Sequence, residues 1–174
     1  MTIVASRASP REGGFLRPDE LLPLGIWVPV LDGDPIAAAM YERHYSSARS
    51  LARRRERGVL QFCGPSARLV LMTPDRRALC AWRKHKVRDD AQAGVECSIF
   101  RNEGAALSSE LIRAADAIAD ARWPGERHFT FVDERATARG RSRRSQPGEC
   151  FRRAGWQECG RSKARDLLIL ERLP

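Results

Sequence analysis

The chain has 174 residues, a formal net charge of +9, and a composition that is 43% hydrophobic and 30% charged. That balance suits one folded domain with its own core and argues against wholesale disorder and against a fibre. No apolar run reaches the roughly 18 residues of a membrane span. The N-terminal stretch also lacks the apolar core of a secretory signal, so a soluble cytoplasmic protein is expected.

In chain order, residues 1–20 are polar and marked by Gly and Pro, a loosely ordered lead-in to a single domain over 21–174. Residues 21–31 read as a first strand around Trp27 and Val28. Asp34-Pro35 signals a helix start, with Asp34 as N-cap and Pro35 in the first turn. The helix is expected to run to about Arg57 and stop at Gly58, with Ile36, Met40 and Tyr41 on its apolar face. Residues 67–73 and 78–84 form a strand pair around the turn Pro74-Asp75-Arg76-Arg77. Val95–Phe100 reads as a buried strand, followed by a six-residue loop, Arg101 to Ala106. A helix follows over 107–122, with Leu107, Leu111, Ala114, Ala115 and Ile118 on one stripe and Ser108-Ser109-Glu110 capping its start. Trp123-Pro124-Gly125 stops it. Residues 128–133 form a strand, 134–146 an Arg/Ser/Gly loop, 148–154 a short helix closed by Gly155, and 166–173 a last strand. The four tryptophans (27, 82, 123 and 156) are expected in the core.

The charge is unevenly placed. Of 31 basic residues only Lys84, Lys86 and Lys163 are lysines. Arg135 to Arg165 holds ten basic residues against Glu149 and Glu158, a local +8; Arg43 to Arg57 holds six arginines against Glu56, a local +5. The first 34 residues carry three arginines against five acids. Such clustering suits a surface that meets phosphates or another polyanion; a solvated arginine-rich loop has the same composition. The five cysteines (63, 80, 97, 150 and 159) include no C-x-x-C pair, and His44, His85 and His128 lie far from any ligand-like spacing. Reduced, mostly buried thiols and no metal site are expected.

The junction from Val95 to Ile112 carries the most chemistry. A buried strand runs through Arg101-Asn102-Glu103-Gly104-Ala105-Ala106 directly onto a helix, whose first N–H groups lack intrahelical partners and face a positive dipole end. Gly104 and the alanines allow an anion to approach the backbone, and Arg101 can add charge. An ordinary strand-to-helix connection would look the same.

Arg101, Gly104 and Ala106 fit R/Q-x-x-G-x-G/A, which resembles the acyl-CoA pyrophosphate loop of the GNAT superfamily of N-acyltransferases. Phe151 followed by Gly155-Trp156 is similar to the family's late aromatic-x-x-x-Gly-aromatic ending. Element order over about residues 25–172 matches as well. The resemblance implies an α/β fold of the α+β kind: a central mixed sheet whose parallel strand pair splays apart, with flanking helices. It implies that Ile99 and Phe100 line the pantetheine arm and that Asn102, Glu103, Gly104, Ala105, Ala106 and Leu107 donate N–H groups to the pyrophosphate. It further implies acyl transfer from acetyl-CoA or another acyl-CoA to an amine. The departure is Phe151, where many members carry a Tyr whose hydroxyl serves the leaving thiolate; either another group substitutes, with Ser145 and Cys150 as candidates, or the thiolate leaves unaided, or the chain is not a working acyltransferase. Glu96 and Ser98 share one strand face, opposite Val95, Cys97 and Ile99, and are base candidates, though a solvated edge Glu fits too. His44-Tyr45-Ser46 resembles an element of the Mom-type DNA-modifying branch found in phages and prophages. His44 joins the catalytic candidates, and Tyr45, Ser46, Arg53, Arg54, Arg139, Arg141, Arg143 and Arg144 form the expected acceptor surface, with DNA or a modified nucleobase as acceptor. Two other readings stand beside it: a non-catalytic nucleic-acid-binding module, and a small-molecule or protein acetyltransferase whose arginines meet only the phosphates of CoA.

Overall fold

A computed structural model describes residues 25–47, 58–59, 61–138 and 145–174. Seven strands form one mixed sheet: β1 (Val28–Val30), β2 (Ala67–Met72), β3 (Ala78–Lys84), β4 (Val95–Asn102), β5 (His128–Val132), β6 (Gln157–Arg161) and β7 (Leu168–Arg172). Their spatial order is β1-β2-β3-β4-β5-β7-β6, and only the β4–β5 neighbours are parallel. The helices among the described residues are α1 (Pro35–Glu42), α2 (Ser108–Arg122), α3 (Glu134–Ala138) and α4 (Glu149–Arg153).

Strand alternation divides the core between the two sheet faces. One face carries Leu69, Leu71, Cys80, Trp82, Val95 and Cys97, packed with Leu111, Ala115 and Ile118 of α2 and Phe151 of α4. The other carries Val70, Met72, Leu79, Ala81 and Ile99, packed with Ala37, Ala38 and Met40 of α1. All four tryptophans are buried, as are Cys63, Cys80 and Cys97, and every cysteine is a free thiol. No helix among the described residues is long and apolar enough to cross a membrane.

Several expectations hold at the level of single residues. Asp34 Oδ1 accepts the N–H groups of Ile36 (2.9 Å) and Ala37 (3.0 Å), with Pro35 opening α1. The β2–β3 hairpin turns at Pro74–Arg77 around Thr73, whose hydroxyl accepts the Ala78 N–H at 3.0 Å.

Others are corrected. Helix α1 ends at Glu42 instead of running on unbroken, because side chains there compete for the backbone: His44 Nδ1 accepts the Ser46 N–H and the Ser47 hydroxyl donates to the Glu42 carbonyl; the expected stretch over 48–57 lies outside the described residues. Ile36 is exposed, and Ala37 and Ala38 take its place on the buried face. Strand β4 continues through Arg101 and Asn102, which pair with Leu79 and Ala78. Leu107 is exposed, and neither Ser108 nor Ser109 caps α2, whose N-cap position is Leu107 with no side-chain cap. Residues 134–138 are helical, seeded by Asp133 Oδ1 accepting the Ala136 N–H at 2.9 Å. Strand β6 was not expected: all five of its residues are exposed, so it has no apolar alternation to read. The 1–20 lead-in and Arg53, Arg54, Arg139, Arg141, Arg143 and Arg144 lie outside the described residues.

Candidate functional site

The β4–β5 seam is brief. Only Val95↔His128 and Glu96↔Phe129 pair, and beyond them the strands part. Thr130 Oγ1 donates to the Cys97 carbonyl at 2.8 Å, a side-chain bridge where the next ladder bond would fall. Across β4 on its other side, the β3–β4 register shifts between Ala81 and Trp82, whose partners Ile99 and Cys97 skip Ser98. Ser98 is the bulged residue, its hydroxyl donating to the Ala81 carbonyl at 3.1 Å. This corrects the expected alternation: the bulge turns Ile99 to the same side as Glu96, away from Cys97 and Phe100.

On the α1 side the seam opens into a cavity of about 610 Å³, lined among others by Tyr41, Tyr45, Ser46, Ser98, Asp133 and Arg165. Tyr45 and Ser46 therefore meet Glu96, Ser98 and Ile99, which also line it. Tyr45 is 43% exposed as a whole, but its hydroxyl lies in the cavity, 3.4 Å from the Phe131 carbonyl it donates to, and desolvation there pushes its pKa up to about 12. Tyr41 and Phe62 stack at 5.2 Å between ring centroids, an aromatic wall.

His44 does not line the cavity. Its ring is buried, packs 4.3 Å from the Tyr45 ring, and uses Nδ1 to accept the Ser46 N–H at 3.2 Å. Burial first, and the nearby Arg101 second, lower its pKa to about 4, so the imidazole is neutral at physiological pH. It holds the Tyr45-Ser46 turn in place. Glu96 is clamped between two guanidinium groups, Arg83 Nη2 at 2.9 Å and Arg88 Nη1 at 2.6 Å, while only 5% exposed. A carboxylate so engaged is a counter-ion before it is a base.

The loop after β4 differs from expectation in its donors. Asn102 Oδ1 already accepts the N–H groups of Gly104 (3.0 Å) and Ala105 (2.9 Å), and the Glu103 N–H goes to the Arg77 carbonyl. Arg101 turns away, to Glu103 and to the Arg43 carbonyl. Arg43 and Arg101 together hold the Glu103 carboxyl down to about 2. What remains is the N-terminus of α2: the N–H groups of Ala106, Leu107, Ser108 and Ser109 have no acceptor among the described residues, because Asn102 is spent on the loop and no side chain caps the helix. Gly104 has φ +92°, and a Cβ there would lie 2.9 Å from Arg77 Nη2. Arg77, which forms no ion pair among the described residues, was missed by the sequence reading. A groove of about 350 Å³ starts at these donors and runs past Leu107, Ser109, Ser145, Gly148 and Cys150.

Phe151 is buried at the foot of that groove's helix, edge-on to Phe100 (5.8 Å) and Trp156 (4.9 Å). Burial raises the Cys150 thiol to about 11, so it stays protonated. Elsewhere in the basic segment 135–165, Arg152, Arg153 and Arg161 pair with Glu158, Glu149 and Glu134. Asp133 and Arg165 had no motif to single them out: Asp133 begins the charged run Asp133-Glu134-Arg135 after β5, and Arg165 is one of ten basic residues between 135 and 165. No protein-family model matches the chain, and comparison with curated proteins finds no match.

Proposed function

We propose that the chain is a GNAT-like, acyl-CoA-dependent N-acyltransferase with its acceptor amine on DNA or a modified nucleobase. The observation that carries this reading is the parting of β4 from β5 after two residue pairs, with a polar cavity on one side and a groove at the uncapped start of α2 on the other. An acyl-CoA supplies an activated thioester carbonyl. The phosphate end suits the free N–H groups of Ala106 to Ser109 and the Arg77 guanidinium. The acceptor side suits the cavity, where two reactants are held together without covalent help from the protein.

Two proton movements then need protein groups. The attacking nitrogen loses a proton, and Asp133, whose second carboxylate oxygen has no partner among the described residues, serves that step better than the clamped Glu96. The departing thiolate needs a donor that stays protonated. Phe151 has none, and the Tyr45 hydroxyl supplies a hydrogen bond from across the cavity. His44 acts by holding Tyr45.

Calorimetric titration with acetyl-CoA tests the reading. Binding is expected, and Gly104→Trp should weaken it by about tenfold or more, with the circular dichroism spectrum unchanged. No binding to the parent protein overturns the cofactor assignment. The buried Phe151 favours a second reading, a nucleic-acid-binding module without chemistry. Salt-dependent DNA binding with no acyl transfer to any amine selects it.

A further inference from the structure

Two opposite charges at the acceptor cavity, Asp133 and Arg165, have no ion-pair partner among the described residues. Asp133 stands at the end of β5, and Oδ1 is used to start α3 by accepting the Ala136 N–H. Arg165 lies on the turn between β6 and β7 and forms no ion pair among the described residues, although Arg161, four positions earlier, pairs with both Glu134 and Asp166. Both charged groups line one space with Tyr45, Phe131, Tyr41 and Phe62.

Their separation is built in. Arg161 Nη2 grips Glu134 at 2.6 Å, on the residue next to Asp133, and Arg161 Nη1 donates to the Asp166 carbonyl, on the residue next to Arg165. The turn itself is closed by Ser162, whose N–H donates to the Leu167 carbonyl, whose hydroxyl accepts the Leu167 N–H, and whose carbonyl accepts the Asp166 N–H. Asp166 sits at φ +52°, a left-handed conformation held by those bonds. One arginine thus fixes the strand end that bears the carboxylate to the turn that bears the free guanidinium. A cavity with an aromatic wall, an anion at one place and a cation at another is complementary to a molecule with the reverse arrangement.

We infer that this cavity selects an amine carrying an oxyanion group, with Asp133 receiving the amino end and Arg165 pairing with the oxyanion. A guanidinium is suited to phosphate or carboxylate through two parallel N–H bonds, and the stacked Tyr41–Phe62 pair adds a surface for a planar body. Arg165 and Asp133 are then the residues that set acceptor specificity. Their role as acceptor contacts rests on the N-acyltransferase reading, but their ligand preference does not need an acyl donor.

The test is calorimetry on the full chain without acyl-CoA, using two matched pairs of probes: deoxyadenosine with deoxyadenosine 5′-monophosphate, and ethanolamine with phosphoethanolamine. In at least one pair the phosphorylated member should bind about tenfold more tightly. Arg165→Gln should erase that preference, Arg165→Lys should retain part of it, and Asp133→Asn should weaken both members of the pair. Preference in the nucleotide pair alone assigns the phosphate to a nucleotide; preference in both assigns it to any amino-phosphate, and either result supports the inference. No preference in either pair, no binding of any probe, or a preference that survives Arg165→Gln overturns it. A separate failure to bind acetyl-CoA removes the acyl-transfer reading and leaves the ligand preference standing.

Discussion

The two faces of the sheet are finished differently. Beneath α2 and α4 the face is closed by tryptophans around one carboxylate: Asp116 accepts from Trp156 Nε1 at 2.9 Å and meets His128 Nδ1 at 3.2 Å, while His128 lies against the Trp82 ring, and Trp82 Nε1 stays buried without a hydrogen-bond partner among the described residues. Beneath α1 a helix of eight residues covers Val70, Met72, Leu79, Ala81 and Ile99, and beside it Tyr45, Ser46, Asp133 and Arg165 face a cavity, while Glu96 is paired with Arg83 and Arg88. The same β4 serves both, since its bulge at Ser98 sends Cys97 to one face and Ile99 to the other. The large apolar side chains gather on one side, and the polar side chains that line a cavity on the other.

The largest test of this contrast is Asp116→Ala. Asp116 is 3% exposed, and removing its carboxylate strands two buried donors, each worth about 1–3 kcal/mol. A loss of roughly 3–4 kcal/mol in urea denaturation is expected, with Asp116→Asn intermediate because one oxygen still accepts. A loss under about 1 kcal/mol would place the stability elsewhere.

On the thin face, His44 predicts a pH dependence. Its pKa falls from 6.5 unfolded to about 4 folded, so between those values the unfolded chain binds more protons than the native one. Its contribution is present above pH 6.5 and is lost as the pH falls toward 4, on the order of 3 kcal/mol in full. Denaturation at a series of pH values checks this: His44→Gln should flatten the slope in that window while lowering stability at pH 7. An unchanged slope would mean that His44 is not the titrating group.

How much of this could be read from the sequence follows from the range of the interactions. Asp34-Pro35, the Pro74–Arg77 hairpin, the Trp123-Pro124-Gly125 stop and the amphipathic α2 rest on neighbours a few positions apart, and each was legible. The end of α1 was not, because His44 and Ser47 claim backbone groups that propensity assigns to the helix. Strand β6 was hidden by having no buried residue, and the Ser98 bulge by needing β3 to reveal it. For the site, Tyr45, Ser46, Glu96, Ser98 and Ile99 converge from distant segments, and Ile99 joins them because the Ser98 bulge turns it away from the face that alternation gave it. The loop after β4 was legible in its glycine but not in its donors, since Asn102 folds back to take two N–H groups that the motif leaves free.

The smallest expected effect bears on how the thin face is held at all. A helix as short as α1 is not stable alone in water, so it depends on its cap, on Pro35, and on the packing of Ala37 and Met40. Asp34→Ala removes the two capping bonds and should cost about 1 kcal/mol. It also removes the Arg76 ion pair, at 3.4 Å and partly exposed, from which little is expected. Asp34→Asn separates the two, since Asn caps as well as Asp but cannot pair with Arg76 as an anion. Near-parent stability for Asn, with faster amide exchange across 36–42 in the Ala variant alone, assigns the effect to the cap. Equal losses in both variants would assign it to the ion pair, and the cover over the cavity would then be fastened by charge rather than by the helix's own start.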